Sequence, residues 1–234
     1  MKNNLLCFLL LLSTSLNAQI KGNGNIISRT FPLETLHTLE INLSARVIID
    51  LQGESEITII TDENIMEHIG HQVVDGYMDL TQKEWIESSG RHRIMIGAPA
   101  LKKLINDAHS TTSLNNMKVP TFQLFAQIGS IDLKGEVEHL TIRNKTAKVE
   151  AIDFSAQNAD ISISSWGSVF INVMDTLNTS IDEKGKLKLL GHPRQLQGDA
   201  ALILAESKQP DRQEVKFINF NIKIIPGFGK ALSS

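Results

Sequence analysis

The chain reads as an all-β protein wound as a single-stranded parallel β-helix, and three observations predict this. Short apolar alternations return at a near-constant spacing between Leu101 and Leu190, the spacing leaves no room for crossover helices, and small residues recur at one point of each repeat. The alternations are Ile128/Ile131/Leu133, Ala147/Val149/Ala151, Val169/Ile171/Val173 and Leu187/Leu189. Ile131, Val149, Val169 and Leu187 thus fall 18, 20 and 18 residues apart, with Leu114 17 residues ahead of the series. A short period of this kind marks a solenoid, whose coils bury their apolar side only by stacking on one another. Coils of roughly 18–20 residues pair in parallel, with side chains alternating between lumen and solvent. The chirality of parallel crossovers favours the right-handed form, although a six-residue face repeat also supports a left-handed one. Gly129, Ala147, Gly167 and Gly185 stand two residues before the aligned apolar position, where a tight bend disfavours a larger side chain.

The first eighteen residues predict export. Lys2 and the free amino terminus precede the apolar run Leu5–Leu12, and Leu16-Asn17-Ala18 approximates a small-x-small cleavage site. The run is far shorter than the roughly 20 residues a membrane span needs, so residues 1–18 read as a signal peptide. The sole cysteine, Cys7, lies inside that run, so the mature chain has no disulfide and no thiolate chemistry. Removing 18 of the 234 residues leaves 216, enough for a sizeable core. A net charge of −3, without a basic stripe, excludes nucleic acid as the expected partner.

Residues 19–29 form a polar lead-in around Gly22-Asn23-Gly24-Asn25, and residues 30–205 form the solenoid domain. Within it, 30–100 hold N-terminal strands and one short helix, and 101–195 hold the regular coils. Strands are expected at His37–Leu43, Ala45–Leu51 and Glu56–Thr61, where Val47/Ile49/Leu51 and Ile57/Ile59 alternate at period two. Asp62–Ile69 reads as the helix, with Thr61 or Asp62 as its cap and Gly70 as its end. Asp75-Gly76 between Val73-Val74 and Tyr77–Leu80 is a hairpin signal. Trp85–Arg93 reads as a loop. Strand-like Ala200–Ala205 and Val215–Ile225 cover the open end of the stack, so 206–234 are a cap and tail.

Candidate chemistry is sparse. His68 and His71 end the expected helix but lack the His-Glu-x-x-His spacing and a third ligand, so they read as surface residues. Arg91-His92-Arg93, beside Glu84 and Glu87, reads as a solvated loop with loose ion pairs. Asp132 and Glu150 occupy equivalent outward positions on adjacent coils, followed in the same column by Phe170 and Lys188. Two carboxylates one coil apart suit a cation, a glycan hydroxyl or an acid/base pair; alternatively they splay into water beside Lys134 or Lys148. Trp166 with Phe170, and Trp85, are stacking platforms for sugar rings or plugs against the tail. Asp132, Glu150, Trp166 and Phe170 are therefore the candidate ligand-binding residues. The pattern implies no metal, no cofactor and no catalytic residue.

Several separated segments carry a resemblance. They are Gly22-Asn-Gly-Asn25, Ile57-Thr-Ile-Ile-Thr-Asp-Glu-Asn64, Val73-Val-Asp-Gly-Tyr-Met-Asp-Leu80 and Ile94-Met-Ile-Gly-Ala-Pro-Ala-Leu-Lys-Lys-Leu104. In that order, over about residues 20–205, the chain resembles the bacterial "putative auto-transporter adhesin, head GIN domain" family common in Bacteroidetes. The resemblance implies an exported β-helix without assigned catalytic residues. Family coils carry repeated Ser-Gly-Ala-Ser bends, whereas here the bends read Ala108-His-Ser-Thr, Ile128-Gly-Ser, Lys145-Thr-Ala and Trp166-Gly-Ser. The expectation is a non-enzymatic binding or adhesion module of the periplasm or outer surface, with a glycan or protein ligand. A carbohydrate-active enzyme using Asp132 and Glu150, and a purely structural protein that forms a homo-oligomer through a flat face, are the alternatives.

Overall fold

The computed structural model describes residues 19–90, 92–199, 203–205 and 216–217. The expected signal peptide with Cys7, Arg91 and most of the expected tail lie outside them. Nine short strands come first: β1 (Ile20–Lys21), β2 (Ile26–Pro32), β3 (Thr38–Ile41), β4 (Arg46–Asp50), β5 (Glu56–Asp62), β6 (Ile69–Gly70), β7 (Val73–Val74), β8 (Tyr77–Gln82) and β9 (Ile86–Glu87). After β10 (Arg93–Gly97) come the long strands β11 (Lys103–Asn144), β12 (Lys148–Ile163) and β13 (Ser168–Ile181). β14 (Lys186–Leu189), β15 (Gln195–Gly198), β16 (Ile203–Ala205) and β17 (Lys216–Phe217) complete the order. All but β1 and β9 join one curled, open sheet of long strands with almost no helix.

The long strands pair in parallel at the predicted register. Ile131 is the partner of Val149, Val149 of Val169, and Val169 of Leu187. All four are fully buried. β16 adds in parallel to β14, and β17 to β15. β11 stays paired through 42 residues because it turns corners at positive-φ residues, Asn116 (φ 56°) and Gly129 (φ 83°) among them. Two asparagines are buried in these bends. Asn144 accepts from the Ala147 N–H (3.0 Å) and donates to the carbonyls of Ala147 and Ser168 (2.9 and 3.0 Å). Asn106 donates to Ile128 O (2.9 Å) and accepts from Thr112 Oγ1 (2.7 Å). Each amide thereby supplies hydrogen bonds to backbone groups at a bend.

The small residues at the bends have two different causes. Gly129 has a positive φ, and a Cβ there would lie 2.1 Å from the Ala108 carbonyl oxygen. At Gly167 the reason is proximity alone: a Cβ would meet the Asn144 side chain at 2.8 Å.

The N-terminal half does not follow chain order. β3 and β4 are inserted between the β8/β10 layer and the first part of β11: Leu39 pairs with both Met78 and Leu104, and Ile49 with both Ile96 and Leu114. β5 then closes antiparallel on β10, and β2 antiparallel on β5. The lead-in contains β1 and the start of β2. The expected hairpin is present, with Asp75 (φ 51°) and Gly76 (φ 76°) both left-handed, as a type I′ turn requires.

The expected helix at Asp62–Ile69 is corrected to a three-residue 3₁₀ helix, Met66–His68, between β5 and β6. Ile65, Met66 and Ile69 are buried at a spacing that imitates a helical stripe. Asp62, however, ends β5, and its carboxylate is bound elsewhere instead of capping.

Candidate functional site

The predicted outward column exists. Asp132, Glu150, Phe170 and Lys188 are consecutive partners across β11, β12, β13 and β14, about 4.8 Å apart per step. All four are half-buried. The carboxylates are not bare: Lys148 Nζ lies 2.8 Å from Glu150, and Ser113 Oγ donates to Asp132 Oδ2 at 3.4 Å. The Lys188 ammonium lies 5.7 Å from the centre of the Phe170 ring. Trp166 occupies the turn before β13, 65 % exposed, with Lys184 Nζ 4.7 Å from its ring centre. Trp85, also exposed, stands apart on the β8–β9 connection.

A second outward surface was not singled out in the sequence. Thr141, Asp160 and Asn178 align across β11–β13, and Arg143, Ser162 and Ser180 align beside them. Together they line an open groove of about 300 Å³. Asn178 Nδ2 donates to Asp160 Oδ1 at 2.7 Å. Phe125 lies between two cations, with Lys103 Nζ 4.6 Å and Arg143 Cζ 5.4 Å from its ring centre. The hydroxyls and amides of this face sit at repeat distances along the stack.

The most tightly bonded polar group lies elsewhere, around Asp62. Its buried carboxylate accepts from the Gly24 N–H (2.8 Å), the Ser89 N–H (3.0 Å), Ser88 Oγ (3.1 Å) and Ser89 Oγ. Burial alone would raise its pKa; the bonds from Ser89, Gly24 and Ser88 outweigh that and hold it at about 2. The lead-in wraps this carboxylate. A Cβ on Gly22 would lie 2.4 Å from the Asp62 carboxyl carbon. Asn64 Oδ1 accepts from the Asn23 N–H (2.9 Å), Asn64 Nδ2 donates to Lys21 O (2.8 Å), and Asn25 O accepts from the Glu63 N–H (2.9 Å). β1 pairs in parallel with β9 on the other side. The result is a clasp that fastens the start of the described chain to β5 and to the segment after β9.

The sequence profile of the family described as "Putative auto-transporter adhesin, head GIN domain" matches residues 35–193. The chain belongs to this family. Its fold is shared with a crystal structure described as a "putative adhesin" from Bacteroides fragilis, at 14 % identity and a TM-score of 0.62, covering 80 % of this chain and 96 % of that one. Structures described as a "putative lipid binding protein" from Parabacteroides distasonis and a "putative adhesin" from Parabacteroides merdae give TM-scores of 0.46 and 0.43 at 16 % and 15 % identity. Each covers 80 % of this chain, and 97 % and 95 % of its own chain respectively. No curated protein matches. The head GIN domain family carries an adhesin description and names no reaction.

Within this head GIN domain, two segments that carry the sequence resemblance, Gly22–Asn25 and Ile57–Asn64, meet in the clasp. They are thus joined by structure. The Arg91-His92-Arg93 expectation needs correction. The His92 imidazole is half-buried, with Nδ1 2.6 Å from Thr61 Oγ1, and is part of the packed edge of β5. Glu87 pairs with Lys21 (3.8 Å) and Glu84 lies 3.9 Å from His68. His68 and His71 turn to different partners: His71 packs against Phe31 in a tilted contact with ring centres 4.5 Å apart. Among the described residues no helix is long and apolar enough to cross a membrane.

Proposed function

We propose that this head GIN domain is an exported, non-enzymatic adhesion-type binding module, displayed on the outer face of the bacterial envelope and taking an extended glycan across its coils. In this reading β11–β14 wind as a right-handed parallel β-helix with coils of roughly 18–20 residues, which keeps outward side chains in straight columns. The observation that supports it most is the shared register, which repeats Ser, Thr and Asn on one face and sets Phe170 and Trp166 beside lysines on another. Aromatic faces beside aligned donors and acceptors suit sugar rings, which carry an apolar face and a hydroxyl rim. Because Lys148 already neutralises Glu150, the carboxylate column fits binding better than acid/base chemistry.

Residues 19–234 applied to a glycan array are expected to retain at least one polysaccharide class. The Trp166→Ala/Phe170→Ala double variant is expected to weaken that retention about tenfold or more. Mass analysis of the recovered glycan should find it unchanged. Cleavage that Asp132→Asn abolishes would overturn the non-enzymatic reading, and no retention on any glycan would overturn the ligand class.

A further inference from the structure

A second hollow lies at the other end of the sheet from the Phe170 column, between the 3₁₀ helix, β6 and the β7–β8 hairpin. It encloses about 280 Å³. We propose that it binds the terminal residue of a neutral glycan, a single hexose or N-acetylhexosamine ring. The proposal rests on the adhesion-type reading for its ligand class, but on this cleft alone for its place.

The buried Met66 and Ile69, with Tyr77 and the exposed Val74, make its apolar lining. The polar groups around it are fixed before any ligand arrives. Glu40 and Asp79 are partners on β3 and β8, an arrangement of like charges that costs stability unless donors hold it. Here Asn42 Nδ2 bridges the pair, donating to Glu40 Oε1 at 3.1 Å and Asp79 Oδ1 at 2.9 Å. Tyr77 donates its hydroxyl to Glu40 Oε2 at 2.5 Å, which locks the ring as a wall of the cleft. The hydrogen bond to Glu40, aided by burial and by the charges of Glu40 and Asp79, pushes the Tyr77 pKa up to about 12, so the phenol stays neutral.

Two acceptors remain for a ligand. Among the described residues Asp79 Oδ2 has no donor. His71 Nδ1 lies 3.0 Å from Ile69 O, a contact that only an N–H can make, which leaves Nε2 as the acceptor whenever the ring is neutral. Its ring packs against Phe31, tilted by 38°. Gln72 and Lys83 supply donors at the rim. Sugar hydroxyls both donate and accept, and the ring's C–H face can lie on Tyr77 and Val74. Anionic ligands meet Asp79 and Glu67, with Glu40 behind them.

The test uses residues 19–234 with methyl-resolved NMR, adding glucose, galactose, mannose or N-acetylglucosamine to about 10 mM, the range in which single sugar rings bind isolated sites. At least one sugar is expected to shift the methyl signals of Met66, Ile69 and Val74. Asp79→Asn is expected to weaken that binding about tenfold or more. Val74→Trp, a substitution at an exposed rim position, should block the cleft without disturbing the core, so the idea stays testable if Asp79→Asn does not fold. The Trp166→Ala/Phe170→Ala double variant should bind the monosaccharide as wild type does, which separates this site from the extended face. Shifts centred away from the cleft, wild-type binding by Val74→Trp, or no shift with any of the four sugars would overturn the proposal.

Discussion

Asp62→Ala is expected to lower the melting temperature by about 10 °C, from a loss of about 3–4 kcal/mol. The carboxylate is the acceptor for two backbone N–H groups and two serine hydroxyls that come from separate segments. Its removal leaves those donors turned toward a void and unties Gly22–Asn25 from β5. The same group makes the wild type acid-sensitive. Asp62 has a folded pKa of about 2 against an ordinary 3.8, so its contribution is complete above about pH 4 and disappears as pH falls through about 2. His92 acts in the same direction. Burial depresses its pKa below 6.5, with Asp62 partly opposing this, so its contribution is complete above that value and is lost as pH falls through the folded value. Thermal melts from about pH 2.5 to 7 should thus show the wild type losing stability as pH falls, and the loss below about pH 4 should be smaller in Asp62→Ala. Limited trypsin digestion offers a local readout, since Lys21 should become cleavable in the variant before the rest of the domain opens. Equal melting temperatures for the two proteins at neutral pH would show that the clasp is dispensable.

Gly129→Val should abolish soluble, folded protein or lower the melting temperature by more than about 10 °C. Two independent demands meet at this position. Its φ of 83° is one that a β-branched residue does not tolerate, and its Cβ would lie 2.1 Å from Ala108 O and 2.8 Å from Ser110 O. Those oxygens belong to backbone stacked against the bend, so the clash displaces one layer from the next. Gly24 provides the control. Its φ is 80°, but nothing lies within 4 Å of a Cβ there, so Gly24→Ala should cost only about 1 kcal/mol. Circular dichroism and melting curves of the two variants compare the clash with the conformational cost alone.

The parallel pairing of β11 to β14 was legible because each strand repeats the same simple requirement, a buried aliphatic at the position held by Ile131, Val149, Val169 and Leu187. With those positions in register, the outward column from Asp132 to Lys188 followed by alternation. No period marks the N-terminal half, and the insertion of β3 and β4 between later strands explains why: neighbours in space there are not neighbours in order along the chain. The helix was misread because Ile65, Met66 and Ile69 bury the same face that an amphipathic helix would, while the hydrogen bonds that decide the backbone come from residues far away in the chain. The clasp is built from Gly, Asn, Asp and Ser, the composition of any loop. The segments Gly22–Asn25 and Ile57–Asn64 carried a resemblance, yet nothing in their spacing indicated that they touch. The cleft at Tyr77 was hidden for a related reason, since Glu40, Asn42, His71 and Asp79 converge only through the pairing of β3, β6 and β7 with β8.

We propose that this head GIN domain works as an adhesion-type module facing the outside of the cell. Protease treatment of intact producing cells, with a known periplasmic protein as control, tests it most directly. The mature chain is expected to be cut while the control survives. Survival of both until the envelope is opened would contradict it, and would remove adhesion from what this fold does in the cell.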